Sequence, residues 1–124
     1  MTSLHNDERP VAIIRATAAA DAWRSATLSQ RAATPDHSDF YNLTGEVVDT
    51  LQALSHLFAV LRIQIAGYGD RRTLRDDEPG HDPAERLIMA CGLAGLLQRD
   101  LDVAEQAAQR FWSEIGHIAV EDPS

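Results

Sequence analysis

The sequence predicts an all-α fold, a three-helix antiparallel bundle, and three observations carry the prediction. Apolar residues recur at steps of three and four over two long segments, no stretch of strand length alternates apolar and polar residues, and proline, Gly-x-Gly and Asp/Ser clusters separate the periodic segments. At 124 residues, with 44% apolar and 24% charged residues, the chain has the size and composition of a single domain. That domain is expected over residues 10–119, between flexible ends at 1–9 and 120–124.

The first helix is expected over about 10–33. Pro10 suits a first helical turn, where a missing N–H costs nothing, and Val11-Ala12-Ile13-Ile14-Arg15 leads into an alanine-rich run. Its apolar stripe, Val11, Ile14, Ala18 and Ala22, is thin, with Trp23 as the one large anchor. Thr34-Pro35 ends the helix because the residue before proline avoids helical angles.

The second helix is expected over about 40–67 and has the clearest pattern. Val47, Leu51, Leu54, Phe58, Leu61, Ile65 and Tyr68 step by fours and threes, a coiled-coil-like heptad seam. Leu57, Val60 and Ile63 add apolar surface off that seam, so this helix is expected at the centre of the bundle or in an oligomer interface. Gly67 and Gly69 are expected to close it in the left-handed conformation.

The linker at 69–82 holds three arginines, then three consecutive acids and a Pro-Gly turn, and is expected to be too polar to pack. Asp82-Pro83-Ala84-Glu85 then signals a helix start: an Asp cap, proline at the first helical position and Glu three residues after the cap. The third helix, about 83–119, carries a second heptad seam of Leu87, Ala90, Ala94, Leu97, Leu101, Ala104, Ala108, Phe111, Ile115 and Ile118. Gly92 and Gly95 interrupt it at about 1 kcal/mol each relative to alanine. The helix is expected to stay intact but bendable, and a fourth helix arises only if it breaks there.

The formal net charge of −8 disfavours nucleic acid and anionic membrane surfaces as partners. Eleven arginines without a lysine, among many alanines, read as a high-GC bacterial coding bias. The lone Cys91 rules out an internal disulfide and a Cys-x-x-Cys site, and a small packed residue is the expected role. Met1 to Asp7 lacks a cationic start and an apolar signal core, and no apolar run reaches membrane-spanning length, so a cytoplasmic protein is expected.

Three arrangements carry candidate chemistry. Glu114-Ile115-Gly116-His117 sets a carboxylate and an imidazole three residues apart, as in di-iron carboxylate bundles. A full site needs more ligands, which Glu46 or Glu105 of a dimer could supply. Glu46-Val47-Val48-Asp49 resembles half of the magnesium motif of MazG-type all-α nucleotide pyrophosphohydrolases, which implies a metal held by Glu46 and Asp49. The preceding acidic pair of that motif is missing, and the first helix offers only Asp21. Arg110 and His117, six residues between them, resemble the Arg-x(4–6)-His motif of HEPN-type ribonucleases. That resemblance implies a dimeric RNA-cleaving cleft in which Arg110 stabilises phosphate charge and His117 transfers protons. Phe111 departs from the polar residue usual there.

The function expected from these readings is a non-enzymatic helical interaction module: a small acidic adaptor or scaffold that forms a homo-oligomer, a dimer in the simplest case, and binds a protein partner. Leu57 and Val60 on the second helix are the candidates for self-association. Trp112 is the candidate partner anchor, on the condition that it is exposed while Phe111 is buried. No cofactor is expected. The alternative is a dimeric ribonuclease or metal-binding bundle centred on Arg110, Glu114 and His117, with Glu46 and Glu105 as further ligands.

Overall fold

A computed structural model describes residues 7–121. Over these residues the protein is all-helical, with three helices and no strand: α1 (Val11–Ala32), α2 (His37–Ala66) and α3 (Pro83–Gly116). The flexible ends expected at 1–9 and 120–124 lie outside the described residues at positions 1–6 and 122–124. By its internal contacts the chain divides into two units, with the boundary between Asp36 and His37.

The first unit is built on α1. Pro10 stands just before the helix in an extended conformation, and its carbonyl accepts from the amides of Ile13 and Ile14 at 3.0 and 3.2 Å. Alanine has the highest helix propensity, and local bonds add to it: Asp21 with Arg24 at 2.7 Å, and the hydroxyls of Thr17 and Thr27 donating back to the carbonyls of Ile13 and Trp23. No residue of α1 is buried, so its helicity rests on propensity and neighbours along the chain rather than on an apolar face. Ala33 leaves the helix with extended angles, ahead of Thr34-Pro35. Before the helix, Asp7 is bound by Arg9 through three side-chain contacts of 2.6–3.1 Å, and the guanidinium holds its carboxyl down at about 2.

The second unit is α2 packed against α3. Tyr41 meets Gly116, Gly45 meets Trp112, Ser55 bonds Asp102, Arg62 meets Cys91 and Gly95, and Gly69 meets Leu87, so position rises along α2 as it falls along α3. The third helix is continuous for 34 residues through Gly92 and Gly95. Its start follows the sequence signal: the Asp82 carboxylate accepts from the Ala84 amide at 3.0 Å, with Pro83 in the first turn.

Two expectations about the connection between these helices need correction. Neither Gly67 nor Gly69 takes the left-handed conformation. Among the described residues the positive-φ positions are Arg71 (φ 62°) and Gly80 (φ 87°). Helix α2 closes with ordinary turns, Gly67 N–H to the Ile63 carbonyl and Tyr68 N–H to that of Ile65, and the Gly69 site lies against the methyls of Leu87 and Leu74. The connection also packs, despite its charge. The Asp76 side chain is only 4% exposed, held by Arg86 at 2.7 Å, and Arg86 reaches Glu78 at 3.1 Å with its other arm. Arg72 lies 4.2 Å from the Tyr68 ring centroid and donates to the Tyr68 carbonyl. Pairing the charges with one another satisfies them without water on every side.

Candidate interaction face

The α2–α3 contact uses a different stripe from the most apolar one. Along α2 the buried and half-buried positions facing α3 are Thr44, Val48, Leu51, Ser55, Phe58 and Ile65. Along α3 they are Leu87, Cys91, Ala94, Gln98, Leu101, Glu105, Ala108, Trp112 and Ile115. The expected seams share every second rung with these lines and differ on the rungs between. Val48 and Ser55 are buried where Val47 and Leu54 were expected, and Gln98, Glu105 and Trp112 are half-buried where Leu97, Ala104 and Phe111 were expected, while Ala90 is half-buried beside Cys91 and Leu61 is half-buried as well. At about 100° per residue, each substitution of one rung for its neighbour turns the helix toward one flank.

The rungs that turn inward are small or polar, and they let the two helices approach. A methyl built on Gly45 would stand 3.2 Å from the Trp112 ring, one on Gly116 3.1 Å from Tyr41, and one on Gly95 3.6 Å from the Arg62 guanidinium. The Tyr41 and Trp112 rings meet at 5.2 Å between centroids. Polar groups on this flank find partners across the gap: the buried Ser55 hydroxyl donates to Asp102 at 2.8 Å and Gln52 donates to Glu105 at 2.9 Å, while Gln109, one turn along α3, donates to the same Glu105 at 2.8 Å. Cys91 donates its thiol hydrogen to the Arg62 carbonyl at 3.2 Å, the packed role expected of it.

The opposite flank is an uninterrupted apolar line. On α2 it comprises Phe40, Val47, Leu54 and Leu61, with Tyr68 in the turn just beyond, and on α3 Ala90, Leu97, Ala104 and Phe111, with Ile118 just past the helix end, each series repeating every seven residues. Val47, Leu54, Tyr68, Leu97, Phe111 and Ile118 are all exposed. Leu57 and Leu93 border this line, whereas Ile63 and Leu96 line an open groove between the helices with Arg62, Cys91 and Gly95, Ile88 lies beside Ala66 and Gly69, and Val60 and Met89 are exposed away from the line. An open groove of about 360 Å³ on α3 runs between Ile88, Met89, Gly92, Leu93 and Leu96, and no atom lies within 4 Å of a methyl built on Gly92.

The sequence candidates fall in different places. Leu57 (42% exposed) and Val60 (51%) are both accessible. Trp112 is half-buried against Gly45 and Tyr41, and its indole N–H is buried without a hydrogen-bond partner, while Phe111 is 53% exposed. The condition set for Trp112 as an outward anchor is therefore reversed. Arg110, Glu114 and His117 are exposed near the end of α3, and Glu46 is exposed on α2. Glu105 is occupied by its two amide donors. No cluster of three or more His, Cys, Asp or Glu side chains able to hold a metal ion occurs among the described residues. No helix among them is long and apolar enough to cross a membrane. Leu54, Leu61 and Leu97 belong to a candidate face that sequence reasoning assigned to internal packing. The signal that separates the flanks is the reciprocal placement of Gln52 and Ser55 against Asp102, Glu105 and Gln109. Compared with known proteins, the chain matches no family model, no curated protein and no solved structure.

Proposed function

We propose that this chain is a non-enzymatic helical interaction module, a small acidic cytoplasmic adaptor or scaffold that self-associates and binds a protein partner. In this reading α2 and α3 form an antiparallel, heptad-patterned hairpin whose core is completed by another chain. The reversed order of the contacts along the two helices supports the antiparallel arrangement. The carrying observation is the missing core: among the described residues no large side chain is fully buried, and the buried apolar residues are Val48 and Ala94. Burial that small does not offset the conformational entropy lost on ordering two long helices, so the exposed leucines of α2 and α3 need cover.

Leu57 and Val60 are proposed to serve self-association, and the aromatic end formed by Trp112 with its exposed neighbour Phe111 to receive the partner. Light scattering on the eluting full-length chain tests this. A dimer or higher oligomer that Leu57→Glu converts to monomer is the expected outcome, with His117→Ala leaving mass and binding unchanged. A monomer at every concentration overturns self-association.

A further inference from the structure

We infer that the bonds of Ser55 with Asp102 and of Gln52 with Glu105 are a lock. They hold α2 and α3 on the more polar of two stripes, and without them each helix turns so that the line through Val47, Leu54, Leu61, Leu97 and Phe111 faces its neighbour. The lock belongs to a single chain and does not depend on the self-association proposed above.

The pair packs against its own hydrophobicity. The two stripes share Leu51, Phe58, Leu87 and Leu101 and differ on the rungs between. On those rungs the packed stripe carries Ser55, Gln98 and Glu105, where the alternative carries Leu54, Leu97 and Ala104. Burial of apolar surface favours the alternative, so specific contacts must hold the polar one. Bare backbone at Gly45 and Gly116, which admits the Trp112 and Tyr41 rings, is one kind. The two cross-helix bonds are the other, and polar groups within an apolar seam fix which packing is adopted. Ser55 is 6% exposed and meets Asp102 at 2.8 Å, and the half-buried Glu105 receives Gln52 at 2.9 Å. A buried polar group that loses its partner costs more than the bond itself contributes. Truncating the exposed partners Gln52 and Asp102 therefore tilts the balance against the packed stripe.

The turn is short and needs no sliding. Adjacent residues are about 100° apart, so exchanging every second rung for its neighbour turns a helix by about 50°. Gly45 with Trp112, Gln52 with Glu105, Ser55 with Asp102 and Arg62 with Gly95 lie in one register, each step up α2 matched by one step down α3. Within one residue of that register Val47 comes opposite Phe111, Leu54 opposite Ala104 and Leu61 opposite Leu97. Leu61 and Ala90 are half-buried in the packed state, so near the connection the alternative line already lies close to the contact.

Neighbouring cysteines read the turn, because Val47 is 36% exposed and Val48 4%. In the full-length chain with Cys91→Ser, in dilute protein and with helicity followed by circular dichroism, alkylation of Val47→Cys is expected to be roughly 10-fold faster than that of Val48→Cys. Gln52→Ala together with Asp102→Ala removes both partners, leaves Ser55 and Glu105 in place, and is expected to reverse that order. Adding Leu54→Asn, which brings a polar group inward only in the second packing, is expected to restore it. An order that the paired substitutions leave unchanged overturns the lock. Two cysteines that both become fast, and that Leu54→Asn does not separate again, mean a loosened pair without a second packing and overturn it as well. Loss of helicity in the paired variant does the same, since the second packing keeps both helices.

Discussion

Along one flank of the α2–α3 pair, Gln52 bonds Glu105 and Ser55 bonds Asp102 across the gap, and Gly45, Gly95 and Gly116 bring ring and guanidinium groups against bare backbone. Along the other, Leu54, Leu97 and Phe111 stand half in water with no polar residue among them. The first flank is held within the chain by Ser55 with Asp102 and Gln52 with Glu105, although the Trp112 indole N–H is left without a partner and a groove stays open beside Arg62 and Gly95. The second presents exposed apolar side chains that the α2–α3 contact itself does not cover. The difference teaches that hydrophobicity alone does not identify the face that packs first. Small residues permit close approach, and the large side chains beside them are left exposed.

Overpacking the closed flank should have the largest effect on the fold itself. Gly45→Val places branched carbon where a single methyl already stands 3.2 Å from Trp112, and should cost about 3 kcal/mol of unfolding free energy in urea titrations. Val48→Ala, at a position only 4% exposed, should cost about 2 kcal/mol.

Concentration then separates the flanks. Ser55→Ala removes one hydrogen bond and should cost about 1 kcal/mol at any protein concentration. On the proposed self-association, Leu54→Ala should by contrast cost little in dilute protein and progressively more as concentration rises. Equal costs at all concentrations for Leu54→Ala would break the comparison.

The smallest effects belong to the connection and to Gly92. Arg86 holds the Asp76 carboxyl below the usual carboxylate range, with the Glu78 amide adding to the effect. A carboxyl depressed in the folded state contributes stability above its ordinary value near pH 4, and this contribution is lost as pH falls through the lowered value. Proteolysis of the 70–81 connection should therefore accelerate on acidification below that range, and Asp76→Asn should show the accelerated rate already at neutral pH. Gly92→Ala meets open space and improves helix propensity, so it should raise stability by up to about 1 kcal/mol. A loss instead would mean that another chain approaches the backbone there.

The sequence by itself determined the helices and most of their limits. These are local matters: alanine content, Pro35 after Thr34, and Asp82-Pro83 placing a capping carboxylate two residues before the Ala84 amide. It did not decide which of two adjacent stripes faces the neighbouring helix. The stripes share Leu51, Phe58, Leu87 and Leu101, and the rungs between differ by one residue, about 100° of rotation. Counting apolar residues favours Leu54 and Leu97, whereas the packed contact uses Ser55 and Gln98. Only the tertiary structure decided between them, because the choice depends on whether Gln52, Ser55, Asp102 and Glu105 meet across the pair, and those groups are about fifty residues apart in the chain. The same holds for the charged connection, where Asp76 is enclosed only because Arg86 of the next helix comes round to meet it.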